Sequence, residues 1–122
     1  MADSAVHLTG SSTRDPELRF TNSGLASASF GLAINTRKKN DQGEWEDGEA
    51  QFYDITCFGS LAENVAESIT KGTRVVVAGR LNFSQWEDSE GNRRSKVDVV
   101  ADSIGPDLRW ATCAITKNEK RQ

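Results

Sequence analysis

Apolar and polar residues alternate along much of this chain, and this alternation predicts β-strands because strand side chains point to opposite faces at every second position. Residues 26–36 show the pattern best, since Phe30 and Leu32 belong to an apolar face and the intervening residues are small or polar. Other strands are predicted over residues 6–10, 52–58, 74–86 and 96–104. We expect one side of such a strand to pack in a core and the other to face solvent.

A single segment has the period of a helix. Apolar residues recur at intervals of four from Leu61 to Ile69, which predicts one packed face. Ser60 and Glu63 form the S-x-x-E pattern of a capping box at its start, and Gly72 is placed to end it. We therefore interpret this helix as a structural element rather than a site.

Proline, glycine and polar stretches interrupt the strands. Residues 14–21 contain Pro16, which lacks a backbone N–H and predicts an edge strand or a bend. Residues 37–49 are too polar to pack, have Trp45 as their large apolar residue, and predict a long, mobile hairpin loop. Gly79 predicts a bulge in its strand, and a bulge there would shift the facing of the residues that follow.

The order strand, strand, strand, helix, strand, strand is typical of one architecture. We predict an all-β fold, the OB-fold, which is a five-stranded Greek-key barrel of the oligonucleotide-binding type with one α-helix between strands 3 and 4. Gly105-Pro106 predicts the end of the domain, which we expect to span residues 1–109. Residues 110–122 are expected to form an extension, in which an apolar part suited to clamp another subunit precedes a basic tail.

Composition and charge narrow the functional class. The 122 residues suit one domain, and 15 basic against 18 acidic residues give a net charge of −3. This balance argues against a generally basic nucleic-acid-binding protein but leaves room for a local basic groove. Cys57 and Cys113 have no metal-ligand spacing, and no apolar run has the length of a membrane span, so we expect a reduced, cytoplasmic chain. His7 is the only histidine and no phosphate loop occurs, so we expect no enzyme, cofactor or metal site.

Two strand faces carry the candidate chemistry. If the strands are regular, rings share a face with small polar or charged residues, namely Phe52, Asp54, Thr56 and Phe58 on one strand and Arg80, Asn82, Ser84 and Trp86 on the other. The residues that point the other way, toward the core or a subunit contact, are Tyr53, Ile55 and Cys57. Rings among polar groups are wrong for a dry core and suit a surface on which bases stack. Ordinary half-buried strand aromatics are the alternative interpretation.

Four segments together resemble one protein family. They are residues 13–24 (TRDPELRFTNSG), 52–81, 86–94 (WEDSEGNRR) and 100–109 (VADSIGPDLR). In this order they resemble the bacterial and phage single-stranded DNA-binding proteins, and residues 105–117 resemble the actinobacterial form. The resemblance implies sequence-independent binding of single-stranded DNA during replication, recombination and repair, without bond-making chemistry.

The resemblance also implies roles for particular residues. The base-stacking aromatics of the family match Phe52, Phe58 and Trp86. Its basic phosphate contacts match Arg19, Arg80 and Arg94. Lys38 stands near a position where some members have a further stacking aromatic, and we include it with Arg37 among the residues expected to contact DNA.

The chain also departs from the family. Asn82 and Ser84 stand where members usually carry Arg or Lys, so we expect weaker binding and a shallow salt dependence. The resemblance implies a homo-oligomer, usually a tetramer. The acidic, apolar tip that recruits replication and repair enzymes has no counterpart in residues 117–122 (KNEKRQ), so those partners are not expected. A barrel that binds other proteins instead of nucleic acid, and RNA as the ligand, stay open as alternatives.

Overall fold

A computed structural model describes residues 3–119 of the chain. Within them, the elements in chain order are β1 (Ala5–Ser12), β2 (Glu17–Phe20), β3 (Ala26–Lys39), β4 (Trp45–Phe58), α1 (Ser60–Ser68), β5 (Arg74–Glu87) and β6 (Arg93–Pro106). Residues 107–119 form neither helix nor strand, and the end of the predicted basic tail, residues 120–122, lies outside the described residues. No helix within residues 3–119 is long and apolar enough to cross a membrane.

Five of the strands in this part of the chain close into a barrel. β1 pairs with β5 along most of its length and with β3 at its end, which completes the ring β1-β5-β6-β4-β3. Neighbouring strands are antiparallel except β4 and β6, which are parallel. Helix α1 connects β4 to β5, and these are the third and fourth strands of the ring in chain order. This is the predicted five-stranded barrel with one helix.

The short strand β2 is an addition to the ring. It follows Pro16 and pairs with β3 beyond the point where β1 leaves the same edge. All of its residues are exposed. The prediction of an edge strand or bend at Pro16 is therefore confirmed, because a residue without an N–H is tolerated where the sheet ends.

Alternate side chains of the ring strands fill the barrel. The largest fully buried side chains are Phe30, Leu32, Ile55, Val75, Val77, Val99 and Cys57. Val65 of α1 and Ile69, which directly follows the helix, join the same core, as their spacing predicted. Burying each large apolar side chain contributes about 1.5–3 kcal/mol. Ile55 and Cys57 are thus core residues. Of the two positions that the sequence left open for them, the core or a subunit contact, they occupy the core.

The start of α1 differs from the prediction. The N-cap residue is Gly59 with φ of 71°, and no side-chain hydrogen bond caps the helix, so the predicted capping box is wrong. β4 passes directly into α1 at Gly59, and glycine adopts this positive φ readily because it has no Cβ. The helix also ends at Ser68 rather than near Gly72, because Ile69 already has extended backbone while its side chain stays buried. Gly72, with φ of 88°, lies in the turn before β5.

Residues 37–49 form a two-stranded ribbon, so the predicted long loop is wrong. β3 continues to Lys39 and β4 begins at Trp45, and the two residues are paired across the strands. The ribbon needs no core because cross-strand pairing satisfies its backbone N–H and C=O groups. The turn is tight: Asn40 Oδ1 accepts hydrogen bonds from the backbone N–H groups of Gln42 (2.9 Å) and Glu44 (3.0 Å).

The bulge predicted at Gly79 is present, but its extra residue belongs to β6. Ala78 pairs with Ser103 and Gly79 pairs with Ala101, which leaves Asp102 as the additional residue. A side chain at Gly79 would overlap the backbone carbonyl of the facing strand, so the close approach requires glycine. Because β5 itself stays regular, the alternation from Gly79 to the end of β5 is not shifted.

Candidate nucleic-acid interface

The outward side of β4 brings two aromatic rings to the surface. Phe52 and Phe58 are 71% and 44% exposed, whereas Ile55 and Cys57 between them are fully buried. β3 supplies only small residues beside this row, since Ala33 pairs with Phe52 and Ser27 pairs with Phe58. The two rings therefore project from the sheet beyond the small side chains next to them. This agrees with the alternation predicted from the sequence.

The second row follows the hairpin of β5 and β6. Trp86 is 48% exposed and lies opposite Arg94, while Ser84 lies opposite Lys96. Asn82 Nδ2 donates a hydrogen bond of 3.1 Å to Oδ1 of Asp98, the residue opposite it. Because directly opposite residues of an antiparallel pair share a face, Trp86 and these polar residues lie on one side of the hairpin.

A contact between β4 and β6 joins the two rows. Lys96 Nζ lies 2.8 Å from Asp54 Oδ2, and Asp54 belongs to the outward side of β4 with both phenylalanines. We call the joined surface the outer face, defined by the rings of Phe52, Phe58 and Trp86 and the polar residues among them. The structure thus brings all three predicted stacking residues to one surface.

The predicted basic contacts divide into two groups. Arg19 of β2 pairs with Ser27, which in turn pairs with Phe58, so Arg19 lies on the same face as that ring, two strands away. By strand alternation the outer face also includes Arg37, Arg80 and Arg94. Lys38 is paired with Glu46 on the opposite side of the β3–β4 ribbon, so the structure does not bring it together with the others.

Every basic residue nominated from the sequence has a carboxylate neighbour. Arg37 Nε lies 3.8 Å from Asp47 and Arg80 Nη1 lies 3.6 Å from Asp102. The remaining pairs are Arg19 with Glu17, Lys38 with Glu46 and Arg94 with Asp88. These exposed pairs contribute little to folding, about 0–1 kcal/mol each. Their importance lies in the charge of the outer face, where acids offset much of the basic field.

The hairpin turn near Trp86 is organised by Asp88. Its Oδ1 accepts hydrogen bonds of 2.9 Å from the backbone N–H groups of Glu90 and Asn92, and its Oδ2 lies 2.9 Å from Arg94 Nε. The Asn92 backbone, with help from Arg94, holds the pKa of Asp88 below its usual value. Asp88 thus ties Arg94, the residue opposite Trp86, to the hairpin turn.

Several basic or aromatic residues of this surface were not nominated from the sequence. Arg14 and Lys96 both approach Asp54, and Trp45 is 60% exposed at the far end of the β3–β4 ribbon. Trp45 lies opposite Lys39, whose Nζ is 5.5 Å from the ring centroid, and both alternate onto the side of Arg37. The pairing of strands distant in sequence places Arg14 and Lys96, and no local signal indicates it. Trp45 carried a signal, since a lone tryptophan in a polar segment is unusual.

Other chemistry is not evident in the described residues. Within residues 3–119, no group of three or more His, Cys, Asp or Glu side chains could hold a metal ion. Cys57 is buried, and burial raises the pKa of its thiol to about 11. The surface offers rings and paired charges, which suit reversible binding of a flat, charged polymer.

Known proteins resemble this chain in sequence and in fold. A profile of the single-strand binding protein family matches residues 3–107. The single-stranded DNA-binding protein of Mycolicibacterium smegmatis is 48% identical over 116 residues, covering 94% of this chain and 70% of that protein. The one from Mycobacterium tuberculosis is 47% identical over 116 residues, covering 94% and 71%. A crystal structure of a small single-stranded DNA-binding protein from Streptomyces coelicolor matches with a TM-score of 0.73 and 31% identity, covering 88% of this chain and 97% of that one.

Proposed function

Because the chain belongs to the single-strand binding protein family, we propose that single-stranded DNA crosses its outer face, with bases stacked on Phe52, Phe58 and Trp86. The chain binds single-stranded DNA and catalyses no reaction, and its family acts in DNA replication, recombination and repair. The path of the strand over the outer face is the part that we propose. The protein would bind DNA along this path wherever single strands are exposed in the cytoplasm, at the nucleoid.

One observation carries the proposed path: three rings remain exposed on one continuous surface that also carries arginines. Stacking on a ring contributes roughly 1–3 kcal/mol per base and accepts any base, since every base has a flat face. Arg19, Arg37, Arg80 and Arg94 would contact phosphates, which carry no sequence information. Lys38, on the other side of the ribbon, would contact DNA only where the strand leaves the outer face.

Trp45 extends the proposed path along the β3–β4 ribbon. It lies on the side of Arg37, and Lys39 approaches its ring closely enough for a cation–π contact. We assign it the stacking role that other members give to an aromatic near position 38. Trp45→Ala should therefore weaken binding to oligonucleotides long enough to reach the ribbon and leave binding to shorter ones unchanged. Equal losses for both lengths would contradict this assignment.

The test of the path is a titration with oligo-dT, a DNA hairpin stem and oligo-U of matched length. We expect tight binding to oligo-dT with quenching of tryptophan fluorescence, and little binding to the stem, because duplex DNA hides its base faces. Equal affinity for the stem and oligo-dT would refute stacking as the mechanism. Comparable binding of oligo-U would extend the ligand to RNA, since stacking alone does not discriminate the 2′-hydroxyl.

We also propose that the chain forms a homo-oligomer, with a tetramer as the expected form. An apolar patch supports it: Leu81, Phe83 and Val97 are exposed on the side of the β5–β6 hairpin opposite Trp86. Wrapping one strand over several subunits would multiply weak contacts through effective concentration. This explains how a chain of net charge −3 holds a polyanion.

The segment after the barrel is a second candidate for subunit contact. We propose residues 1–109 as the DNA-binding domain and residues 110–122 as a clamp on a neighbouring subunit. The ring centroid of Trp110 lies 4.9 Å from the guanidinium carbon of Arg74 and also 4.9 Å from that of Arg109. These contacts anchor the start of the segment. Ile115 is 86% exposed in the same segment, and a neighbouring subunit would cover this apolar side chain.

A further inference from the structure

A surface that binds a polyanion carries its own anions here. Each arginine proposed to contact phosphate has a carboxylate partner, as described above. A phosphate that approaches such an arginine meets a negative charge already in place. The arrangement is most concentrated at Asp54, which lies on the outer side of β4 between the two phenylalanines.

Asp54 contacts two cations that come from different parts of the chain. Its Oδ2 lies 2.8 Å from Lys96 Nζ of β6, and its Oδ1 lies 4.0 Å from Arg14 Nη1, in the segment between β1 and β2. Gly31, which pairs with Asp54, makes room for that segment, because a side chain there would overlap Thr13 and approach Arg14. The glycine thus lets Arg14 reach across β3 to the carboxylate.

The charges of this cluster set its behaviour. Lys96 and Arg14 both approach the one carboxylate of Asp54, and all three side chains are partly exposed. Asp98 also faces Lys96 from the same strand. The hydrogen bond to Asp54, followed by its charge and that of Asp98, raises the pKa of Lys96, so the ammonium remains charged through the neutral range.

We propose that Asp54 competes with phosphate: it holds Lys96 and Arg14 in the free protein, and single-stranded DNA binds there by displacing the carboxylate. This inference rests on the proposed path of DNA over the outer face. A phosphate gains attraction from the two cations but is repelled by the carboxylate a few ångströms away. Asp54 therefore lowers affinity and makes it less sensitive to salt, because a cation already neutralised by the protein neutralises less of the DNA. It also speeds release, since affinity differences between related complexes lie mostly in the dissociation rate.

The experiment replaces Asp54 in two steps, Asp54→Asn and Asp54→Lys, and measures the affinity for oligo-dT over a range of salt concentrations. Asp54→Asn should tighten binding by about fourfold, the effect of removing one charge about 5 Å from a phosphate near water. The slope of log K against log salt should steepen by up to about 0.7. Asp54→Lys should move both quantities further in the same direction, and dissociation in stopped flow should slow in parallel.

Glu67→Gln is the matched control, because it removes the same unit of charge on α1, which is not part of the outer face. If it tightens binding as much as Asp54→Asn, overall charge is responsible and the competition is refuted. If both Asp54 variants weaken binding, Asp54 positions Lys96 and Arg14 instead, and the inference is overturned. Unchanged affinity and slope overturn it as well.

Trp86→Ala, measured in the same series, separates this inference from the proposed path. If it weakens binding while Asp54→Asn fails to tighten it, only the competition at Asp54 is refuted. If Trp86→Ala leaves affinity unchanged, the path over the outer face fails first. Melting curves of each variant show whether the fold is kept, which we expect because Asp54 lies at the surface.

Discussion

Trp86→Ala should weaken the binding of single-stranded DNA and leave the barrel folded. The ring is 48% exposed at the end of the β5–β6 hairpin, away from the fully buried residues of the core. If a base stacks on it, its loss removes roughly 1–3 kcal/mol per base. That range corresponds to an increase in Kd of about 5- to 150-fold.

The cost to folding can be bounded from the exposure of the ring. An enclosed aromatic side chain buries about 150–250 Å², so a half-exposed one retains about 100 Å² of contact. At about 25 cal/mol per Å² this is worth at most about 2.5 kcal/mol, and less if the unfolded chain keeps part of the contact. A core ring behaves differently: Phe30 is fully buried, and Phe30→Ala should cost about 3–5 kcal/mol of stability.

Phe83→Ala is the matched control. Phe83 is 60% exposed on the same strand, three positions from Trp86 in sequence, but on the opposite face of the hairpin. Its truncation removes a similar contact area without removing a ring from the outer face. We expect a similar small change in melting temperature and no loss of affinity for a short oligo-dT, provided that light scattering shows the same assembly.

The assay combines fluorescence anisotropy of labelled oligo-dT with thermal melting of both variants. A Phe83→Ala variant that loses as much affinity as Trp86→Ala would refute the assignment of faces. A Trp86→Ala variant that melts far lower yet binds normally would make Trp86 a structural residue. Either result would contradict the proposal that bases stack on Trp86 at the outer face.

Three further predictions concern thiols, salt and assembly. Burial raises the pKa of the Cys57 thiol from 9.0 to about 11, so native protein at pH 8 should be alkylated once, at the exposed Cys113, and a second time only after unfolding. Because the folded state retains the Cys57 proton more strongly than the unfolded state, the free energy of unfolding should fall as the pH rises from about 9 toward 11. Ser84→Arg should steepen the slope of log K against log salt by about 0.7 for a new phosphate contact. Asn82→Arg should steepen it less, because Asp98 lies opposite residue 82. Equal slopes for the two variants would argue against local neutralisation by the facing acid. Deleting residues 110–122 should lower the molecular mass seen by light scattering, whereas an unchanged mass and melting temperature would argue against a clamp.

Much of the barrel could be predicted because its signals are local. Alternation in residues 26–36 identifies the buried face of β3, since the period of a strand decides which side chains share a side. The four-residue spacing from Leu61 to Ile69 identifies the packed face of α1 in the same way. The predicted rings at Phe52 and Trp86 lie on the exposed sides for this reason as well.

Predictions from polarity alone were less successful. The β3–β4 ribbon has too few apolar residues to predict strands, yet it forms because its backbone groups pair across the two arms. The capping box failed at Ser60 because the chain turns from β4 into α1 at Gly59, which takes the N-cap position itself. The side on which Lys38 lies also depended on the ribbon, because a loop has no fixed alternation.

The sequence by itself therefore determined the strands of the barrel, their buried faces, the helix and the rings that stay outside, since each depends on a repeat between neighbours along the chain. Only the tertiary structure decided which outward faces merge and which charges meet. Asp54 and Lys96 contact each other because β4 and β6 pair in parallel, and Arg14 reaches them because its segment crosses β3 at Gly31. These contacts join residues far apart in sequence, and electrostatic energy depends on distance in space, so the charge of the outer face could not be derived from the order of its residues.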